Sequence, residues 1–420
     1  MKISLIADPH LNKTIYKGVM DEEYTYIPFR NADLMRAFAF IINKNIDEIH
    51  PDLLVILGDV FDTPHPFNPV RTFFNSQLHR LAEAKIPTII LIGNHDVCSK
   101  HHALEPVGAL GLNNVKVISS PTLTLFKDTI LMLFPYSMEV EKKEIPIRQQ
   151  FHAFVEESKE KIKTKKELQG KDVLFFGHFG VNGAVKNTYE DSNNFEELGI
   201  EPTKKQVINR NEADISIKDL EGVGAKYVFL GDYHEHQVLT KKNTVAFYIG
   251  SPEKCNFAEK DHKKGFVVYD SELPPETPLG SCTYVEYPHC RPMVELKGNY
   301  QDMLDKMDKL PPSTRTLVKL NFIGNEKELL EYSIALDSFK KVLQSKFKPL
   351  YIYPKQKVID EEEEKIASQI ENDILSKGHI DDDDVRQVAE EAIKEKEKDP
   401  EEQIILIKMA NEIYEETLEK

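Results

Sequence analysis

No stretch of 18 consecutive apolar residues occurs in the 420-residue chain, so no segment has the make-up of a membrane-spanning helix. The chain enters a strand-like pattern at once, Lys2 to Ala7, with no signal-peptide core ahead of it. Cysteine is scarce. Cys98, Cys255, Cys282 and Cys290 form no C-x-x-C pair, which argues against a zinc ribbon and for a reducing compartment. Together these absences lead us to expect a cytoplasmic protein with no membrane contact. No internal repeat is visible. A basic balance is missing too: the net charge is −16. From Asp360 to Lys420 there are 22 acidic and 8 basic residues, which leaves the preceding 359 residues at −2. The acidity belongs to a tail. A near-neutral body does not advertise nucleic-acid binding by bulk charge, yet it leaves room for a local basic groove.

With 40% apolar and 30% charged residues, the chain reads as an ordinary globular protein of two or three domains. Over the first 270 residues, continuous apolar strands alternate with helical patterns, which predicts an α/β domain with buried sheets. Strands are expected at Ile3–Ala7, Leu53–Leu57, Thr88–Ile92, Val115–Val117, Ile130–Phe134, Val173–Phe176, Tyr227–Leu230, Val245–Ile249 and Gly265–Tyr269. Helices are expected at Ala32–Ile49, Val70–Ala84 and Gln149–Thr164. After the Pro-rich "ELPPETPLG" (272–280) comes a compact strand–helix–strand–helix–strand pattern ending at Leu350–Tyr353. We therefore divide the chain into a main domain (1–280), a small α/β cap (281–355) and an acidic helical tail (356–420). In the tail, Leu406, Met409, Ala410, Ile413, Tyr414 and Leu418 make one apolar helical face. It either packs on its own cap or docks on a partner helix.

Five apolar strands stop at clusters of oxygen and nitrogen donors. "IADPH" carries Asp8 and His10; "LVILGDVFDT" carries Asp59 and Asp62; "LIGNHD" carries Asn94, His95 and Asp96. "LFFGHFG" carries His178, and "VFLGDYHEH" carries Asp232, His234 and His236. The carboxyl ends of strands are where α/β sheets build sites. His with Asp and no Cys favours Mn²⁺, Fe²⁺ or Zn²⁺ over a soft metal. Seven or eight such donors are too many for one tetrahedral ion, whereas two metals about 3.5–4 Å apart would use them all on a phosphate. Singly, each residue has a plainer reading. His10 could be a turn histidine, Asp8 before Pro9 a turn residue, and Asn94 and Asp96 Asx-turn residues. All five motifs in one chain and in this order are not a chance arrangement.

These motifs resemble those of the calcineurin-like metallophosphoesterases, which implies a β-sandwich flanked by helices. "GDVFDTPHPFNPVR" (58–71), "GHFGVNGA" (177–184) and "IGSPEKCNFAEKDHKKGFVVYD" (249–270) are similar to the SbcD branch of DNA repair nucleases. "RPMVEL" (291–296) opens where that branch has its DNA-capping domain, and the likeness covers residues 1 to about 355. The resemblance implies two Mn²⁺ per subunit, with Mg²⁺ or another divalent ion as substitutes. Asp8, His10, Asp59 and His234 would hold one, and Asp59, Asn94, His178 and Asp232 the other, with Asp59 as the bridge. His95 would be the catalytic histidine, and Asp62 would sit behind the metal ligands or near the substrate phosphate; Arg71, a basic residue flanking the second motif, is a candidate contact to that phosphate. Where the family has G-H-x-H, this chain has Gly231-Asp232-Tyr233-His234. An alternative register makes His234 and His236 the pair.

Lys100, His101 and the lysine run at 159–166 are candidate phosphate contacts, although a lysine run also serves as a solvated helix face. The implied partners are double-stranded DNA ends, single-stranded DNA, a second copy of the chain and an SbcC-like ABC-type ATPase with a coiled coil. The competing readings are a small-substrate phosphoesterase and a catalytically silent scaffold for a partner ATPase.

Overall fold

The computed structural model describes residues 1–13, 20–24, 26–98, 101–136, 145–184, 215–274, 279–313, 315–324, 339, 341–343, 346 and 352–358. The acidic tail with its apolar face from Leu406 to Leu418, most of the helix expected before Leu350, and Lys100 lie outside the described residues. The chain forms two compact units, Met1–Met293 and Val294–Lys420.

The first unit holds two six-stranded sheets. Sheet one comprises β1 (Lys2–Ile6), β2 (Leu53–Leu57), β3 (Thr88–Leu91), β6 (Val115–Ile118), β15 (Gly265–Asp270) and β16 (Cys282–Glu286). Their spatial order is β16-β15-β1-β2-β3-β6. Sheet two comprises β7 (Thr122–Phe126), β8 (Thr129–Phe134), β9 (Asp172–His178), β12 (Tyr227–Gly231), β13 (Gln237–Thr240) and β14 (Val245–Tyr248). Their order is β13-β14-β12-β9-β8-β7. Two short pairs, β4 (Val97–Cys98) with β5 (His101–His102) and β10 (Val181–Asn182) with β11 (Ile215–Ser216), sit on the connections.

Side chains alternate across each strand, and both faces are covered. Leu53, Val55 and Leu57 of β2 pack with Leu131 and Leu133 of β8 and Phe176 of β9, so the sheets meet face to face. Leu54 and Ile56 point the other way, onto α1 (Phe29–Lys44) and α2 (Asn68–Glu83). On sheet two, Met132, Phe134 and Phe175 face α3 (Ile147–Thr164), with Leu220 of α4 (Ile217–Glu221) in the same cluster. This double burial is why the central strands read as unbroken apolar runs. Each fully buried side chain of this kind contributes about 1.5–3 kcal/mol.

All nine expected strands of this unit are present. The edge strands β7, β13 and β16 were not anticipated: their positions are mostly half-exposed, so no apolar run marks them. Helix α1 begins at Phe29, earlier than expected, because Phe29, Arg30 and Asn31 are already buried. It ends at Lys44, where a π-turn over Asn45–Ile49 replaces the last expected turns.

The second unit has a three-stranded sheet, β17 (Met293–Gly298), β18 (Leu317–Gly324) and β19 (Ile352–Val358), in that order. Helix α5 (Tyr300–Lys309) is capped by Asn299, whose side chain accepts from Asp302 N at 2.9 Å. Met303 and Met307 bury its apolar face against Leu296, Val318 and Leu320. The last strand runs Ile352–Val358 rather than Leu350–Tyr353, because it pairs in parallel with β18 from Val318 to Gly324.

Candidate metal centre at the strand ends

Strands β1, β2 and β3 are parallel neighbours, so their carboxyl ends lie on one edge of sheet one. In sheet two, β9 and β12 are parallel and end together, with His178 opposite Gly231. The chain then turns sharply at each end. Asp8 (φ 51°), His10 (φ 43°), Asp59 (φ 49°) and Asp232 (φ 99°) all have left-handed or neighbouring backbone. Such conformations cost about 1–3 kcal/mol each and persist only where the surroundings enforce them.

The enforcing bonds are mostly main-chain. Asp8 N donates to Gly58 O at 3.3 Å, and His10 N donates to Asp59 O at 3.0 Å, which locks the first two turns together. The Asp96 carboxylate accepts from Gly93 N (2.9 Å), Phe61 N (3.1 Å) and Val60 N (3.3 Å), which ties the third turn to the second. Gly93 has no room for a side chain: a Cβ there would stand 2.1 Å from Asp59 Oδ1.

The seven expected ligands form one connected group. Asp59 lies at its centre, 1% exposed. Its Oδ1 is 3.4 Å from His178 Nε2 and accepts from His95 N at 2.9 Å. Its Oδ2 is 3.6 Å from His10 Nε2, so the two oxygens face different histidines. His178 Nδ1 donates to Leu57 O at 2.6 Å, which leaves Nε2 facing inward, 3.0 Å from Asn94 Oδ1. Asp232 N donates to Asp8 Oδ1 at 3.0 Å. His234 Nδ1 donates to Glu259 Oε1 at 2.9 Å, and its Nε2 lies 3.0 Å from His10 Nε2.

His95 stands at the rim, with its side chain 39% exposed and its ring edge-on to His10 at 4.9 Å. Its Nδ1 donates to Asp62 O at 2.8 Å, leaving Nε2 for a substrate. Asp62 Oδ1 lies 3.2 Å from His10 Nδ1 and 3.0 Å from Lys13 Nζ. Arg71 is placed differently: its guanidinium donates to Ala103 O at 3.2 Å, behind the third turn. His236 also turns away, donating Nδ1 to Tyr248 O at 2.8 Å and stacking on Tyr284 at 4.5 Å. Of the two histidines, His234 brings its ring to the group and His236 does not, while Asp232 is tied there by its main-chain N–H. His101 pairs with Glu105 at 3.1 Å, and Lys159 and Lys161 pair with glutamates on their own helix.

The electrostatics are those of donors held close without water. Burial lifts the Asp8 carboxyl to about 6, against the pull of His178 and His234. Burial lowers His10 to about 4. Burial would raise Asp59 as well, but His178, His95 and His10 hold it far below the usual carboxylate range. Burial would lower His178; Asp59 and Asp8 instead push it up to about 10.

The group fits divalent cations. Asp8 Oδ2 is buried with no hydrogen-bond partner. His10 and His234 bring Nε2 to within 3.0 Å of each other, a distance that one N–H···N bond or one bound cation can bridge. It is also about the separation of two nitrogens that each sit roughly 2.1 Å from one ion. Asp8, His10 and Asp59 offer three donor atoms within 4.8 Å of one another.

Sequence reasoning named the stretch around Glu259 and Lys264 but gave neither residue a role. A glutamate and a lysine in a buried loop are the available signal; their partner, His234, lies 25 positions before Glu259.

Comparison with known proteins gives the family of the chain. Residues 1–236, more than half of the chain, match the family described as calcineurin-like phosphoesterase. The SbcD component of the SbcCD nuclease of Staphylococcus epidermidis is 22% identical over 323 residues, 74% of this chain and 76% of that protein. The DNA double-strand break repair protein Mre11 of Methanococcus maripaludis is 24% identical over 411 residues, covering 95% and 92%. The protein of that name from Sulfurisphaera tokodaii is 33% identical over 117 residues, 28% of each chain. By class, the protein is a metal-dependent phosphodiester hydrolase. It belongs to the calcineurin-like phosphoesterase family.

Proposed function

We propose that the chain is a Mn²⁺-dependent DNA exonuclease and endonuclease, the nuclease subunit of an SbcCD-like repair or recombination complex. The observation that carries this reading is Asp59. Its two oxygens face separate histidines, as a carboxylate shared by two ions requires. Asp8, His10, Asp59 and His234 would hold the first ion; Asp59, Asn94, His178 and Asp232 would hold the second. Bound divalent cations supply the positive charge that a phosphodiester needs as it is attacked.

The chain's own residues do the rest. Water adds to phosphorus and loses a proton; as the P–O bond to the leaving oxygen breaks, His95 in its doubly protonated form gives that oxygen the proton on Nε2, while Nδ1–H stays on Asp62 O. Asp62 holds His95 through its carbonyl and His10 through its carboxylate. Arg71 steadies the segment that follows the third turn. Double-stranded DNA ends and single strands are the substrates, a second copy of the chain completes a homodimer, and an ABC-type ATPase docks on the apolar face from Leu406 to Leu418. The extents of the Mre11 and SbcCD relatives, and the absence of any need for a cap on a small ester, support DNA over a small substrate.

The test is cleavage of linear duplex DNA with Mn²⁺ by the wild type and by Asp59→Asn. Cleavage by the wild type alone is the expected result. Turnover of bis(p-nitrophenyl) phosphate with no DNA cleavage, even with the ATPase and ATP added, would replace this reading with a small-substrate phosphoesterase.

A further inference from the structure

Behind His234 lies a closed polar network. Glu259 ends a short 3-10 turn, Phe257–Glu259, capped by Asn256. It is 2% exposed, and both of its oxygens are engaged. Oε1 accepts from His234 Nδ1 at 2.9 Å; Oε2 accepts from Lys264 Nζ at 2.6 Å and from Cys255 N at 2.8 Å. Lys264 is 1% exposed, and its remaining donors reach Ser251 Oγ at 2.8 Å and His234 O at 2.9 Å. An ammonium has three donors, so all are used. Ser251 N also donates to His234 O, at 3.1 Å. Ring and main chain of His234 are thus held by one set of bonds.

His234, Cys255 and Glu259 have the spacing of a metal cluster. Two facts argue against that use: both carboxylate oxygens already accept from N–H donors, and Lys264 already supplies a positive charge.

We infer that Glu259, clamped by Lys264, is a positioning residue that fixes the tautomer and aim of the His234 ring. A carboxylate can only accept, so the proton stays on Nδ1 and the Nε2 lone pair is directed at His10. A carboxylate behind a ligating imidazole also makes that imidazole a stronger base. The inference rests on the reading of His234 as a metal ligand.

Two double variants test it without leaving a buried charge unpaired. Glu259→Gln with Lys264→Met keeps an oxygen acceptor for Nδ1; Glu259→Leu with Lys264→Met removes it. Mn²⁺ binding to the full chain is measured by calorimetry, and the His234 tautomer by long-range ¹H–¹⁵N NMR. The glutamine pair is expected to bind near wild type with Nδ1 protonated. The leucine pair is expected to lose about 10–100-fold in affinity and to show mixed tautomers. Equal behaviour of the two pairs, or a wild-type ring protonated on Nε2, would overturn the inference. If the wild type binds no Mn²⁺, the reading of a metal centre fails. The NMR arm then decides the inference alone: loss of the fixed tautomer only in the leucine pair upholds it.

Discussion

The two sheets deliver their halves of the site by different means. Sheet one contributes Asp8, His10, Asp59, Asn94 and His95 from turns just past the strand ends. Those turns are locked to one another by main-chain bonds and by the Asp96 carboxylate. Sheet two contributes His178, Asp232 and His234, and its two histidines are steered by acceptors remote in sequence: Leu57 O for His178 and Glu259 for His234. One half is held by its own backbone, the other by long-range side-chain bonds. Strain is concentrated in the first half, where three donors share left-handed backbone and interlock.

Breaking the chemistry while sparing this framework should have the largest effect. His95→Asn, at the rim of the sheet-one half, is expected to slow DNA cleavage by about 10²–10⁴-fold with Mn²⁺ affinity unchanged. Parallel kinetics and calorimetry check it; affinity lost in step with rate would place His95 among the ligands.

Next in size is the buried ionic tie between the sheet-one helix layer and the loop that carries Glu259. Asp33 on α1 pairs with Arg30 and Arg291, while Arg30 donates to Lys254 O and Arg291 N donates to Glu253. Asp33→Asn should cost about 3–5 kcal/mol at neutral pH, because two arginines lose a buried partner. The sign with pH follows from the carboxyl itself. Burial would raise its pKa, but Arg30 and Arg291 hold it below the ordinary 3.8. Its contribution is complete above 3.8 and is lost as the pH falls through the lower folded-state value. Urea unfolding should therefore show a gap between wild type and variant at pH 7 that closes in strong acid. A gap of the same size at every pH would mean that lost packing, not charge, is responsible.

The smallest expected effect sharpens the contrast between the halves. A Cβ at Gly93 meets Asp59 first, its Oδ1 at 2.1 Å and its N at 2.2 Å, whereas one at Gly231 meets Leu57 O at 2.2 Å first and His178 Nδ1 and Asp8 Oδ1 only at 3.0 and 3.2 Å. Gly93→Ala should displace Asp59 and lower activity about 10²-fold. Gly231→Ala presses on backbone between the sheets and should cost about 1–3 kcal/mol of stability. Activity assays set beside thermal melts distinguish the two; identical profiles would remove the distinction between the halves.

The same contrast explains what could be read beforehand. The central strands were legible because double burial writes them as apolar runs, and the donors were legible because each sits within a few residues of such a run. The edge strands β7, β13 and β16 were not, since half-exposed positions carry no such run. Glu259 and Lys264 were seen only as part of a longer motif, because nothing local says which buried partner a charged side chain will meet.

By itself, the sequence determined the donor types, the strands they follow and, through parallel neighbours, the edge at which they gather. Local patterns are enough for that, because burial periodicity and turn chemistry act over a few residues. Only the tertiary structure decided that the His234 ring faces His10 while His236 turns to Tyr248 O, and which nitrogen of each histidine points inward. Those choices depend on pairs such as His10 and His234, 224 positions apart, whose meeting is set by how the two sheets pack.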